Sequence, residues 1–420
     1  MFSVLLFKLM NSSITPATSA SKLSTRLVLF SVLATGVGQS MTFTLLAPLG
    51  REVGLGEVQV GLIISCSSLA FTLTSLVWGR ASDRWGRKPV MLLGMFGYTF
   101  GSILFVSVFF FGLKGLLSGM ALYLSVISSR VLMASLMSAL PSAASAYIAD
   151  ITSAEQRVSG MGRLGAARTL GAILGPAMCG LLATIGLLTP LYIGAGVALF
   201  STILLAVVLQ EPVRSTPRPA TKLKLKLLDK RYFPYILTGV MTFFAFSMAS
   251  QTIGFYIQDR FVLDGKATAQ AIGMGMMAAS IMSFFAQSYL AGRLKINPIR
   301  LMSLGLPILM VSYGSLLFAN SIVTLVVVLG MLGLGLGMVG PGFTAGASLA
   351  VGPEEQGAIG GMVSACPAAG FVLGPIVGTS LYQVSHTLPY ICALGIMLPL
   401  TLYVQRFVKK QHNEKRQELS

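Results

Sequence analysis

Charge is what this chain has least of. Of its 420 residues only 10% are Asp, Glu, Lys or Arg, and acids are outnumbered, 13 against 30. Histidine occurs twice, at His386 and His412, and neither has the ligand company a metal site needs. The four cysteines, Cys66, Cys179, Cys366 and Cys392, sit apart within apolar stretches, as small buried packing residues do, so neither a disulfide framework nor a metal site is expected. No grouping of nucleophile, base and oxyanion donors stands out. The closely spaced glycines from Gly330 to Gly342 lack the Lys-Ser/Thr pair of a nucleotide loop and lie inside an apolar run. These absences argue against an enzyme and against ATP as an energy source.

What is present is apolar sequence. Hydrophobic residues make up 54% of the chain and the mean hydropathy is +0.80, outside the range of a water-soluble fold. Crossing a bilayer as helix takes roughly 20 apolar residues. Stretches of that kind run over 27–48, 58–79, 89–111, 120–149, 159–184, 187–209, 233–257, 268–291, 299–319, 322–350, 357–382 and 388–405. Backbone polar groups in hydrocarbon must be satisfied within the protein, and runs this long and continuous satisfy them as helices rather than as barrel strands. Twelve spans place both termini on one side.

The formal charge of +17 would suggest a nucleic-acid partner on a soluble domain, but it is segregated along the chain. Bases cluster at Lys22 and Arg26, at Arg80, Arg84, Arg87 and Lys88, at Arg157 and Arg163, and in the central stretch at Arg214, Arg218, Lys222, Lys224, Lys226, Lys230 and Arg231. More follow at Arg293, Lys295 and Arg300 and in the tail. The alternate loops hold only Arg51, Lys114, Arg260 and Lys266. Loops rich in Lys and Arg stay in the cytoplasm, which predicts cytoplasmic termini and central loop and leaves no charge for nucleic acid to explain. The apolar segment Met1–Met10 lacks a charged start and a convincing cleavage site and is expected to remain as an uncleaved arm.

The long polar stretch from Glu211 to Arg231 divides the spans six and six. The expected organisation is an N-terminal arm over 1–25, a six-helix bundle over 26–210, a basic loop over 211–231, a second six-helix bundle over 232–408 and a tail over 409–420. An internal repeat supports the division: GAILGP from Gly171 to Pro176 is echoed by GFVLGP from Gly370 to Pro375, and Glu155-Gln156 by Glu355-Gln356.

Between spans 2 and 3 the chain reads Gly79-Arg80-Ala81-Ser82-Asp83-Arg84-Trp85-Gly86-Arg87-Lys88. This resembles the signature loop of the major facilitator superfamily, G-x-x-x-D-R-x-G-R-K, and it is complete here. The resemblance covers nearly all of residues 25–408. It implies an all-α integral membrane protein of the major facilitator fold, twelve transmembrane helices in two six-helix halves, with a cavity lined by spans 1, 4, 7 and 10. It also implies a conformational gate of Gly79, Asp83, Arg84, Gly86, Arg87 and Lys88, in which Asp83 caps the start of span 11 and Asp150, at the end of span 4, pairs with Arg87. The fifth span carries Gly171, Gly175, Pro176 and Gly180, similar to the helix motif of the drug/proton antiporters in the superfamily, and this favours export. Small residues at that spacing let another helix approach closely, which is also what plain packing would use.

Arg130 lies twenty positions before Asp150 on one predicted helix, about 30 Å at 1.5 Å per residue, so it is expected deep in the protein. It resembles the family's fourth-span arginine, associated with proton transfer or substrate contact, although Met133 and Ala134 stand where the family usually has Gln and Gly. An architectural arginine bonded to neighbouring helices is the other reading. No Asp or Glu falls in the middle of a span: Glu52, Glu57, Asp259 and Asp264 lie at the outer edge, and Asp83, Asp150, Glu155, Asp229, Glu354 and Glu355 at the inner one. Candidate substrate or proton-transfer residues are therefore Arg130, Arg168, Gln39 and Gln251. The expected function is proton-coupled export of a small organic molecule, with an anionic or carboxylate metabolite such as a siderophore favoured. Multidrug or antibiotic efflux and nutrient uptake are the alternatives. No cofactor is expected beyond the proton gradient; the partners are the substrate and the lipid bilayer, the state monomeric, and the location a bacterial inner membrane.

Overall fold

The structure, a computed structural model, describes residues 19–152, 154–212, 229–294 and 296–417. The arm Met1–Met10 and the loop bases Arg214, Arg218, Lys222, Lys224 and Lys226 lie outside the described residues. Among the described residues every regular element is helical, and twelve helices are long and apolar enough to span a bilayer. They are Leu23–Glu52, Glu57–Trp85, Arg87–Leu113, Gly119–Ile151, Ser159–Leu182 and Thr189–Val208 in the first half. Phe233–Phe261, Gly265–Leu290, Pro298–Leu316, Ile322–Leu349, Ala358–Val384 and Leu388–Phe407 follow in the second. They are numbered spans 1 to 12 below.

Two boundaries depart from the sequence reading for identifiable reasons. Span 2 does not stop before the signature but runs helically through it to Trp85, and span 3 starts at Arg87. The predicted loop is therefore two helix ends joined through Gly86, whose φ of 108° is open to glycine. Span 4 is broken at Ser138 into Gly119–Met137 and Ala139–Ile151. Pro141 explains the break, since it has no N–H for the Met137 carbonyl and its ring crowds that group.

The fold forms two compact units. The first takes in 19–43, Leu69–Met178 and 185–212; the second takes in Thr44–Ser68, Cys179–Thr184 and 229–417. In the first unit span 3 shows how a helix works when its solvent is lipid. Phe96, Phe100 and Ile103, at i, i+4 and i+7, are exposed on one face. Gly94, Gly97 and Gly101 occupy the other, where a Cβ would lie 2.5 Å from the Leu140 nitrogen and under 3 Å from Leu136 and Met133 of span 4. Lipid is as apolar as Leu, so large residues gain nothing by turning inward, and close backbone packing holds the helices together.

The sequence repeat proves to be a repeat of packing. In the first unit a Cβ on Gly171 would sit 2.9 Å from Gly36 of span 1, and one on Gly175 would strike Ser40 four residues further along it. The Ser40 hydroxyl also donates to the Gly171 carbonyl at 3.1 Å. In the second unit the equivalent glycines meet the equivalent partners: Gly370 lies against Phe243 of span 7, and Gly374 against Ser247 four residues later. Span 5 thus stands to span 1 as span 11 stands to span 7.

Candidate functional site

Arg130 is the most unusual side chain of the first unit. It is 1% exposed, the largest of the fully buried side chains. Its guanidinium carbon lies 5.3 Å from the ring centre of Phe43 and 5.7 Å from that of Phe105, so spans 1 and 3 each offer an aromatic face. One terminal nitrogen reaches the Met133 sulfur at 3.9 Å. The Nε and Nη2 atoms have no hydrogen-bond partner among the described residues. Cation–π contacts of this kind supply about 2 kcal/mol when desolvated, while enclosing an unpaired charge costs several kcal/mol. The balance leaves the site short of a hydrogen-bond acceptor.

Beside it is a cavity of about 10 Å³, room for one water molecule, lined in part by Thr42, Tyr98, Ser102, Phe105 and Met133. Tyr98 reaches into this space because Gly38 lets it: a Cβ at Gly38 would collide with the Tyr98 hydroxyl.

The other candidates are placed less alike. Arg168 is accessible where Leu164 and Ala167 of the same turn are buried, and it is less enclosed than Arg130. Gln39 is half-buried in the first unit, and its carbonyl oxygen has no partner among the described residues. Gln251 is 7% exposed in the second unit. The polar residues Gln287 and Tyr289 lie in a π-helical turn, Ala286–Arg293, where Gln287 donates to Ser283 at 3.0 Å.

At the end of the first unit that carries the signature, Arg87 holds two carboxylates. Its Nη1 lies 2.6 Å from Asp83 and its Nε 2.8 Å from Asp150. Asp83 is 66% exposed and Asp150 is shielded, so of the two contacts the one to span 4 is less screened. The sequence reading missed a third acid. Glu211, directly after span 6, accepts the backbone N–H of Arg87 at 2.6 Å and of Lys88 at 2.8 Å. Those N–H groups open span 3 and have no intrahelical acceptor, so the carboxylate satisfies them and meets the positive end of the helix dipole. The usable signal was an acid placed just past the end of an apolar run.

Gly86 is required twice over, by its positive φ and because a Cβ there would lie 2.7 Å from Glu211 Oε1. Gly86→Ala is expected to cost about 1–3 kcal/mol. The measurement is thermal unfolding in detergent, where a several-degree fall is expected and an unchanged midpoint would remove this account of the turn.

In the second unit Arg231 bonds Asp229 at 2.8 Å and Glu355 at 3.1 Å, tying the start of span 7 to the segment before span 11. The hydrogen bond from Arg231 holds the Glu355 carboxyl below the usual carboxylate range.

Twelve apolar helices, with no strand among the described residues, are what the sequence resemblance implied for the fold. The profile of the Major Facilitator Superfamily matches residues 28–375 and again 267–419. The chain belongs to that superfamily. It is 26% identical over 395 residues to the quinolone resistance protein NorA of Staphylococcus aureus, covering 93% of this chain and 97% of that one. It is 27% identical over 362 residues to multidrug resistance protein 1 of Bacillus subtilis, covering 84% and 88%. Among solved structures it resembles the nucleoside transporter NupG, with a TM-score of 0.71 at 12% identity over 91% of this chain and 99% of that one. The human organic anion transporter MFSD10 aligns with a TM-score of 0.65 at 19% identity over 93% and 100%. The protein is thus a multi-pass membrane transporter of the major facilitator fold, and not an enzyme.

Proposed function

We propose that this transporter exports small aromatic, drug-like molecules from the cytoplasm in exchange for protons. Its similarity to drug-resistance proteins along nearly the whole chain carries the reading. The basic end, with both termini, then faces the cytoplasm. Asp83 serves as the latch of the cytoplasmic gate, with Asp150 and Arg87 as its ion-paired support, and the cost of opening that gate stays small because partly exposed pairs contribute only about 1 kcal/mol or less.

The relatives speak against the preference for a siderophore, and so does the site. A citrate-type siderophore brings several carboxylates, whereas Arg130, the more enclosed of the two candidate arginines, offers a single cation. One guanidinium between two aromatic rings suits a flat aromatic molecule with a single acidic group.

The test is uptake into everted membrane vesicles, with norfloxacin as the acidic aromatic probe and ethidium as the cationic one. Accumulation of norfloxacin at least several-fold above vesicles lacking the protein, collapsing when a protonophore is added, is the expected result. Accumulation indifferent to the protonophore would overturn the coupling, and none of either probe would overturn drug export.

A further inference from the structure

The end of the second unit away from the basic loops holds a charge cluster that the reading above does not use. Arg51, in the last turn of span 1, makes a two-pronged contact with Asp259 near the end of span 7: Nη1 to Oδ1 at 2.6 Å and Nη2 to Oδ2 at 2.9 Å. The same Nη2 reaches Glu57, the first residue of span 2, at 2.8 Å. Its guanidinium carbon lies 4.9 Å from the ring centre of Phe255, one turn before Asp259. The Tyr382 hydroxyl, near the end of span 11, donates to the same Asp259 oxygen, and His386 stacks on the Tyr382 ring at 4.9 Å with its Nε2 3.8 Å from that oxygen. Spans 1 and 11 and the turn after span 11 thus converge on the carboxylate of span 7, and span 2 joins them through Arg51.

Three features separate this cluster from a scatter of surface charges. The Arg51, Glu57 and Asp259 side chains are each about three-quarters shielded, so the contact is screened far less than an open pair. The pairing is bidentate, which fixes direction as well as distance. The backbone around it is also closely packed: a Cβ on Gly254 would lie 2.7 Å from that of Ala47 in span 1, and one on Gly61 of span 2 would strike Thr379 of span 11. Arg51 and Glu57 belong to the first six spans in sequence, and Asp259 and Tyr382 to the last six. The contact therefore exists in a state with these ends together and is lost when they part, and such differential contact is what sets a conformational equilibrium.

We propose that Arg51 and Asp259, supported by Glu57 and Tyr382, form a latch that holds the ends of spans 1, 2, 7 and 11 closed during one stage of the transport cycle. The proposal rests on the alternating-access cycle of the superfamily but not on the identity of the substrate. Its test needs no substrate. In a variant with Cys66, Cys179, Cys366 and Cys392 replaced, spin labels at Glu52→Cys and Val384→Cys report the separation of the ends of spans 1 and 11 in detergent or nanodiscs. Asp259→Asn or Arg51→Ala is expected to raise the long-distance population several-fold. The exchanged pair, Arg51→Asp with Asp259→Arg, puts both charges back across the contact and is expected to return most of the population to short distance. Elution and unfolding of each variant as a single species identify the molecules that count. A folded Asp259→Asn protein with an unchanged distance distribution, or an exchanged pair as open as the single variants, would overturn the latch. Failure of norfloxacin export would leave the distances, and this inference, untouched.

Discussion

Arg130→Ala is expected to reduce proton-driven norfloxacin export at least tenfold while leaving ethidium export within about twofold of the parent. A charge-assisted bidentate contact contributes about 1.5–3 kcal/mol, which corresponds to a loss of roughly ten- to a hundredfold in binding. Ethidium has no carboxylate to lose, and removing a buried positive charge takes away repulsion. Arg130→Lys keeps the charge but loses both the planar fork and the stacking on Phe43 and Phe105, so it should fall between. Stability separates this from an architectural role. Nε and Nη2 of Arg130 lack partners among the described residues, and deleting an incompletely paired buried charge need not destabilise the fold. Loss of norfloxacin export at an unchanged unfolding temperature is the expected signature. An equal loss for both substrates with a large fall in stability would mark Arg130 as a packing residue.

How much of this was legible in the sequence follows from the range of the forces involved. Lipid requires that each span satisfy its own backbone, so each span is a local object, and all twelve could be read from apolar runs. The signature was equally local in sequence, yet its geometry was not. Nothing in ten letters says that Asp83 and Arg87 belong to two helix ends meeting at Gly86, because that depends on one φ angle.

Contacts made at long sequence separation were the ones missed. Glu211 lies 124 positions from the Arg87 N–H it accepts, and Arg51 lies 208 positions from Asp259. All were visible as charges at helix ends, but a single sequence carries no signal for which end meets which. The orientation of Arg168 was hidden for another reason. Its distance along the helix from the basic loop was readable, but the direction of its side chain is set by which face Leu164 and Ala167 bury, and in a span apolar on every side that face is not marked.

The antiporter-type helix allows the sharpest separation of position from composition, because its glycines are alike in sequence and unlike in space. A Cβ on Gly175 would meet the Ser40 hydroxyl and lie 2.6 Å from the Val37 carbonyl, and one on Gly171 would lie 2.9 Å from the Gly36 backbone. The serine hydroxyl can rotate away, but the backbone atoms cannot, so spans 1 and 5 must move apart. Gly165, on the same helix, has nothing within 4 Å of where its Cβ would be. Gly175→Ala and Gly171→Ala are therefore expected to cost about 1–3 kcal/mol each through overpacking and to reduce export at least tenfold, since spans 1 and 5 carry the packing around Gly36 and Ser40. Gly165→Ala should gain slightly from better helix propensity, about 0.5–1 kcal/mol, with export unchanged. The second half supplies an internal control: Gly374→Ala meets Ser247 on span 7 as Gly175→Ala meets Ser40 on span 1, and its unfolding midpoint should fall by a similar amount. If Gly165→Ala and Gly171→Ala prove equally damaging, the motif does not act through close approach of helices, because the two differ in that respect and in little else.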